Sequence, residues 1–326
     1  MYNARKKVNY ISYGITKTGG YRHEYFLYKS ILQYLGTEHS SGKMFRKHKL
    51  FYNIIAYFEL LVWAFRRSNA DINIVTARTG ISAIIRNWFN KKDVWIVLHN
   101  YDPNDGKSSL LKWYYKLLFI LLKMAKHNRF KIICVAPFFL NLFKNEIGIK
   151  NTFLFPNLFD ISYYKEFQKS EKNKWVHLGQ FSSKNDSKIP VLAKRLHEIG
   201  FYCFYSTLNP KEATSVNGEY DILYFDSFDD YLNKMSLCIC TLALTRINEG
   251  WPRLSHESIL VGTPIIGYAN GGLGDLLKES KSMVVNSVDE VYECITQNLF
   301  VQPSSSFTEK YDLKNFAKYT IQICPN

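Results

Sequence analysis

Short apolar runs of strand length alternate with longer amphipathic segments along the whole chain, and this rhythm limits the fold more than any other feature. "VNYISYGI" (8–15) reads as a strand and "YRHEYFLYKSILQYL" (21–35) as a helix. A helix at 50–68, a strand at 71–77, a helix at 80–90, a strand at 93–99, a helix at 109–127 and a strand at 131–136 follow. The pattern then starts again. Strands are expected at 174–179, 201–206, 220–225, 237–244 and 263–269, with helices at 188–200, 227–235, from 252, and near 289–300. Strands separated by helix-length segments build parallel sheets with helices on both faces. Between the two series a boundary is expected near 157–170, where "PNLFDISYYKEFQKSEKNK" mixes Pro, Asn and charge. The expected class is α/β, with two Rossmann-like domains whose parallel sheets face each other across a central cleft. The domains would span 1–160 and 161–310, with a segment 311–326 packing back on the first. Ligands of such sheets bind outside the carboxyl ends of the strands.

Composition adds an electrostatic asymmetry. The net charge is +14, but residues 1–160 hold 25 Lys/Arg against 9 Asp/Glu while residues 161–326 hold 17 against 19. The first half is therefore built to meet something anionic: a lipid surface, a nucleic acid or a phosphorylated substrate. Six cysteines (134, 203, 238, 240, 294 and 324) are scattered without metal-ligand spacing. Cys238 and Cys240 alternate within "LCICTLAL", a buried-strand pattern, so packing rather than a disulfide framework is expected, in a reducing cytoplasm. The basic N-terminus lacks the apolar core of a signal peptide and reads as a first strand. No run of 18 apolar residues announces a spanning helix.

Chemistry concentrates at the ends of strands. In "NEGWPRLSHE" (248–257) two glutamates lie eight positions apart, with Gly-Trp-Pro between them. Pro252 has no N–H and suits the first turn of a helix, so Glu249 precedes the helix and Glu257 falls in its second turn. Gly250 permits an unusual turn or a close approach to a ligand. A helix N-terminus attracts anions through its free amides and its dipole. These carboxylates could equally be solvated groups that only satisfy that dipole. Other strand ends carry Gly19-Gly20 in "KTGGYRHE", His99 after "DVWIVL", Gly179, Gln180, Lys184 and Lys188 in "HLGQFSSKNDSK", and Gly271-Gly272 in "NGGLGD". Each is weak evidence of function in isolation.

As a set they resemble the retaining GT-B glycosyltransferases, specifically glycosyltransferase family 4. The Glu-x7-Glu element "EGWPRLSHE" is followed at the usual distance by "SILVGTPIIGYANGGLGDLL". "LFPNLFD" (154–160) is similar to the family's interdomain Pro-Asn element, "VLHN" to its strand-end His motif, and "TKTGG" to its glycine-rich donor loop. Roughly 174–300 matches in order and spacing, and the first half more loosely. The resemblance implies that Glu249 contacts the donor sugar hydroxyls. It implies that the backbone of Gly250, Trp251 and Pro252 brings the helix start toward a diphosphate, and that Glu257 accepts from the ribose. His99 would face the transferring sugar, and Gly19 and Gly20 would line the phosphate side of the first domain. Gly271 and Gly272 would form the second glycine-rich turn of the donor site.

Two departures carry weight. The family has Arg directly after the strand-end Gly, and here Gln180 stands there, without the charged fork that arginine offers a diphosphate. Lys184, or Lys188, would then neutralise the leaving group, with Arg253 or Arg246 assisting. The segment 36–50 is also shorter and more basic than the strand-helix-strand of the family, which affects the acceptor side. No Asp-x-Asp sequence is present, and neither a metal nor a cofactor is expected beside the nucleoside-diphosphate-sugar donor.

The helix at 109–127 accounts for part of the positive charge. At about 100° per residue, Lys112, Lys116, Lys123, Lys126 and His127 fall within about 100° of arc, and most of the remainder is apolar. A helix sandwiched between the sheet and a neighbour would show the same stripe. The functional reading is in-plane contact with an anionic membrane, placing a glycan or lipid-linked acceptor on the inner face of the cell membrane and the protein in the cytoplasm, peripherally bound. The overall expectation is a retaining, metal-independent hexosyltransferase of cell-surface polysaccharide synthesis. The alternatives are a non-catalytic nucleotide-sugar-binding protein and a basic nucleic-acid-binding protein. The second alternative leaves the glycine-rich turns unexplained and matches no zinc-finger, RNP-like or basic-zipper pattern.

Overall fold

The structure, a computed structural model, describes residues 7–12, 27–29, 31–33, 43–44, 70–88, 92–99, 101, 109–125, 129–301 and 305–323. The expected helix at 50–68, Gly19, Gly20 and Lys126 lie outside these residues. The chain divides into two compact units, Met1–Asn157 with Phe316–Asn326, and Leu158–Asn315.

The first unit is a six-stranded sheet in the order β2-β1-β3-β4-β5-β6. Its strands are β1 (Val8–Ser12), β2 (Lys43–Met44), β3 (Ile72–Thr76), β4 (Asp93–Leu98), β5 (Phe130–Cys134) and β6 (Thr152–Leu154). Every pairing is parallel. In β3 all five residues are buried, and in β4 Val94 to Leu98 are, so side chains on both faces are covered, as parallel sheets require. Helix α1 (Gly80–Trp88) follows β3 and α2 (Ser109–Met124) follows β4. Then α3 (Pro137–Asn141) starts with Pro at its first position and runs into a π-helical turn, Leu142–Glu146. Phe139 and Phe143 from this segment stack at 5.8 Å in the core.

The second unit has seven strands in the order β13-β12-β11-β7-β8-β10-β9. They are β7 (Asn173–Gln180), β8 (Tyr202–Thr207), β9 (Thr214–Val216), β10 (Tyr220–Tyr224), β11 (Cys238–Ala243), β12 (Ile265–Gly267) and β13 (Met283–Val284). Only β9, at the edge, pairs antiparallel. The helices are α4 (Ile161–Lys165), α5 (Ile189–Glu198), α6 (Phe228–Ser236), α7 (Arg253–Leu260), α8 (Gly272–Ser280), α9 (Val288–Thr296) and α10 (Ser305–Lys310). Val176, Leu178, Leu192, Cys203, Cys240, Leu242 and Ile266 meet in one apolar core, so Cys203 and Cys240 serve as packing groups. The strand order decides where a ligand can go. The sheet grows from β7 through β8 and β10 in one direction, and then resumes at β11 on the other side of β7. The topological switch point lies between β7 and β11, which are paired neighbours.

The last helix, α11 (Phe316–Ile323), belongs to the first unit. There Tyr319 packs edge-on against Phe155 at 6.2 Å, and Lys131 Nζ donates to the Ile323 carbonyl at 2.7 Å. Among the described residues no helix is long and apolar enough to cross a membrane.

Candidate functional site

Three loops leave the carboxyl edge of the second sheet beside the switch point. The first follows β7, the second follows β11 and the third follows β12. Gly179, next to last in β7, holds φ +89°, and a Cβ there would come within 2.8 Å of the Leu242 carbonyl oxygen on β11. The two strands at the switch point can approach this closely only because that position is glycine.

The first two loops are fastened to each other. Asn185 pairs with Thr245 as an isolated antiparallel bridge, and the Arg246 amide donates to the Lys184 carbonyl at 3.0 Å. Arg246 donates from its guanidinium to Asp186 at 2.8 Å and to the Ser187 hydroxyl at 2.7 Å. The Tyr268 hydroxyl, from the third loop, donates to the same Asp186 carboxylate at 3.1 Å. Burial pushes the Asp186 carboxyl up. The Lys188 amide, Arg246 and Tyr268 outweigh burial and hold it below the usual carboxylate range. Arg246, expected as an assisting cation, is thus occupied in stapling the loops.

This staple sets Lys184 beside Glu249, with Nζ 3.9 Å from Oε1, at the outer limit of an ion pair. Lys184 is half exposed, and Glu249 is half-buried. Burial pushes the Glu249 carboxyl up, and Lys184 pulls it back. The third loop grips Glu249 by its backbone. Glu249 bridges Gly271, and the Gly272 amide donates to the Glu249 carbonyl at 2.9 Å. Gly271 holds φ 57°, and a Cβ there would stand 2.7 Å from that carbonyl oxygen. Asn270 adds a side-chain hydrogen bond to the Thr245 carbonyl at 2.8 Å.

Beyond Glu249 the chain enters α7 through Pro252, which occupies the cap position with extended backbone and makes no side-chain cap. Helices α5 and α8 also lack one, whereas α6 and α9 carry one. Ser227 caps α6 by accepting from the Asp230 amide at 3.0 Å, and Ser287 caps α9 by accepting from the Glu290 amide at 3.2 Å. The α7 start therefore presents its first-turn amides without the side-chain oxygen that usually meets them.

Inside the start of α7, Arg253 donates to Glu257 Oε1 at 3.0 Å, and the Tyr164 hydroxyl donates to the same oxygen at 3.4 Å. Arg253 also lies over the Phe159 ring at 4.8 Å. Trp251 turns inward. Its indole N–H donates to His256 Nδ1 at 2.7 Å, which leaves the His256 proton on Nε2. The His256 ring is enclosed by Phe159, Phe307 and Tyr311 at 4.3, 5.0 and 5.0 Å, and among the described residues Nε2 finds no hydrogen-bond partner. Burial, then the Arg253 charge, push the His256 imidazole well below its ordinary value, so it stays neutral.

The structure thus brings Lys184, Glu249, Gly271 and Gly272 together, with Gly250, Trp251, Pro252, Arg253 and Glu257 continuing from them. Gln180 is exposed at the end of β7, and its carbonyl accepts from Asn185 at 2.7 Å. Lys188 is exposed at the cap of α5. His99 directly follows β4 in the first unit and is half-buried. Lys112, Lys116 and Lys123 are exposed on α2. Asp186, Tyr268 and His256 were not among the expected site residues. The strand-end position of "KNDSK" is the only trace of the first, and nothing in the spacing marks the other two. Among the described residues no cluster of three His, Cys, Asp or Glu side chains is arranged to hold a metal.

No family model and no curated protein matches the sequence. Solved structures do match over the full length. Sucrose-phosphate synthase from Thermosynechococcus elongatus superposes with a TM-score of 0.70 at 12% identity, covering 98% of each chain. Anabaena HepE, solved with UDP-glucose, gives 0.69 at 15% identity over 97% of this chain and 98% of its own. A glycosyltransferase from Rickettsia africae gives 0.63 at 13% identity over all of both chains. The fold is that of the GT-B glycosyltransferases.

Proposed function

We propose that the protein is a glycosyltransferase that binds a nucleoside-diphosphate sugar on the second unit and transfers the sugar with retention of anomeric configuration. One observation carries this reading. Lys184 and Glu249 meet at the topological switch point, beside a helix N-terminus that no side chain caps. A cation and free helix amides suit a diphosphate, and a carboxylate beside them suits the hydroxyls of the attached sugar. The solved neighbours support it, since HepE was solved with UDP-glucose and with UDP.

In this mechanism the bond from the anomeric carbon to the β-phosphate oxygen breaks, and the acceptor oxygen bonds to that carbon on the same face. The acceptor proton passes to the departing phosphate oxygen. Lys184 sits far enough from Glu249 to exchange that carboxylate for the phosphate, where its charge counters the negative charge that grows on the leaving group. The α7 dipole adds to it. No metal is assigned a role. Glu249 orients the sugar, and Glu257, already held by Arg253 and Tyr164, accepts from the ribose. The roles of His99, Gly19 and Gly20 rest on the family resemblance. The basic first half supports an acceptor, glycan or lipid-linked, at the inner face of a membrane, in the synthesis of a cell-surface polysaccharide.

Gln180 favours one second reading, a nucleotide-sugar-binding protein that does not transfer. A panel of UDP- and GDP-sugars, followed by calorimetric binding and by nucleoside diphosphate release, separates the two. Transfer requires both signals for at least one donor. Binding without release, with acceptor extracts present, supports the second reading, and neither signal overturns both.

A further inference from the structure

On the first unit, α2 turns a continuous two-part face outward. Trp113, Leu117, Ile120 and Met124 are 68%, 47%, 44% and 63% exposed, and Lys112, Lys116 and Lys123 are exposed beside them. At about 100° per residue the three lysines fall within about 40° of arc, and the four apolar residues fill the adjoining arc of about 60°. The opposite side packs inward through Leu118 and Leu122, which are buried. Its core contacts therefore do not account for the outward apolar row. The helix contains no acidic residue.

We propose that this face of α2 is a docking surface for an anionic lipid bilayer, on which the helix lies in the plane of the interface. Charge selects the occupant. The first 160 residues carry 25 Lys/Arg against 9 Asp/Glu, and the lysines stand in a row directly alongside the apolar residues. That side-by-side order fits a boundary between charged headgroups and acyl chains. Lysine stems lie over the apolar surface while their ammonium groups reach the headgroups. Lys116 Nζ reaches across from the lysine strip to within 5.3 Å of the Trp113 ring centre, and an indole suits the headgroup level. A single helix face is convex and offers no groove for a peptide, whereas a bilayer deforms around it. With 16 residues the helix is too short to span, so contact is confined to one leaflet.

The test is co-sedimentation of the full chain with vesicles of phosphatidylcholine alone and of phosphatidylcholine mixed with phosphatidylglycerol. Binding is expected only to the mixed vesicles. Each lysine contributes about fivefold near such a surface, so Lys112→Glu, Lys116→Glu and Lys123→Glu combined should lower partitioning by at least about 100-fold. Trp113→Ser with Met124→Ser should remove the part of the binding that survives high salt. All five positions are exposed, and melting curves matching wild type confirm that the variants fold. Three results overturn the proposal: no binding to mixed vesicles, equal binding by the lysine variant, or a preference for duplex DNA over vesicles. A wild-type dimer that Trp113→Ser with Met124→Ser converts to a monomer also overturns it, because a second copy would then be the occupant. Sugar transfer is not measured in any arm, so this inference and the donor-site reading stand or fall separately.

Discussion

Gly271 and Glu249 depend on each other at the level of single atoms. The left-handed φ of Gly271 lets its α-carbon lie against the Glu249 carbonyl, where any side chain would collide with backbone. Gly271→Ala should cost about 1–3 kcal/mol in denaturant unfolding through strain alone, and should weaken donor binding because Glu249 is displaced. The two glutamates should fail differently. Glu249→Ala leaves the loop staples in place and should chiefly lower turnover. Glu257→Ala strands Arg253 in a half-buried position and should raise the donor KM while lowering stability. Steady-state kinetics with melting curves checks both. The two carboxylates were legible from their spacing around Pro252. The choice between Lys184 and Lys188 was not, because both follow the same strand and only the fold of the loop sets one of them 3.9 Å from Glu249.

At the scale of elements, the entry to α7 is held from below. Trp251 is pinned by His256, and His256 is walled in by Phe307 and Tyr311, which arrive from α10 and the turn after it. His256→Leu removes the acceptor of the buried Trp251 indole N–H, at a cost of about 1–3 kcal/mol. His256→Asn places an amide oxygen near the lost Nδ1 and should recover part of that stability and of the donor KM. Equal losses in the two variants would mean that the hydrogen bond does not support the loop. The long elements were legible because each carries many residues of one period, as α5 shows, expected at 188–200 and found at Ile189–Glu198. The segment from α3 through its π-helical turn, α4 and β9 were missed because a few residues define no period. The staple of Arg246 and Tyr268 on Asp186 was equally hidden. Its partners are 60 and 82 residues apart, and only the strand order brings them together.

For the whole molecule, two buried imidazoles couple the second unit to pH. Burial depresses His177 from its ordinary 6.5 to about 3, and His256 shifts in the same direction. The unfolded chain therefore takes up these protons first as pH falls. Stability is fully present above about pH 6.5 and declines below it, by up to about 1.4 kcal/mol per pH unit for each histidine. Melting curves from pH 7.5 to about 5 should show a falling midpoint. A midpoint constant across that range would mean that neither ring is buried neutral.

The proposed donor site lies at the carboxyl edge of one sheet, and the comparisons support the fold at full length. The most direct measurement is nucleoside diphosphate release from a donor panel by wild type, Lys184→Ala and Glu249→Ala, side by side. The account predicts release from at least one donor by wild type, reduced about 100-fold or more in each variant. Release at the wild-type rate by both variants would contradict it.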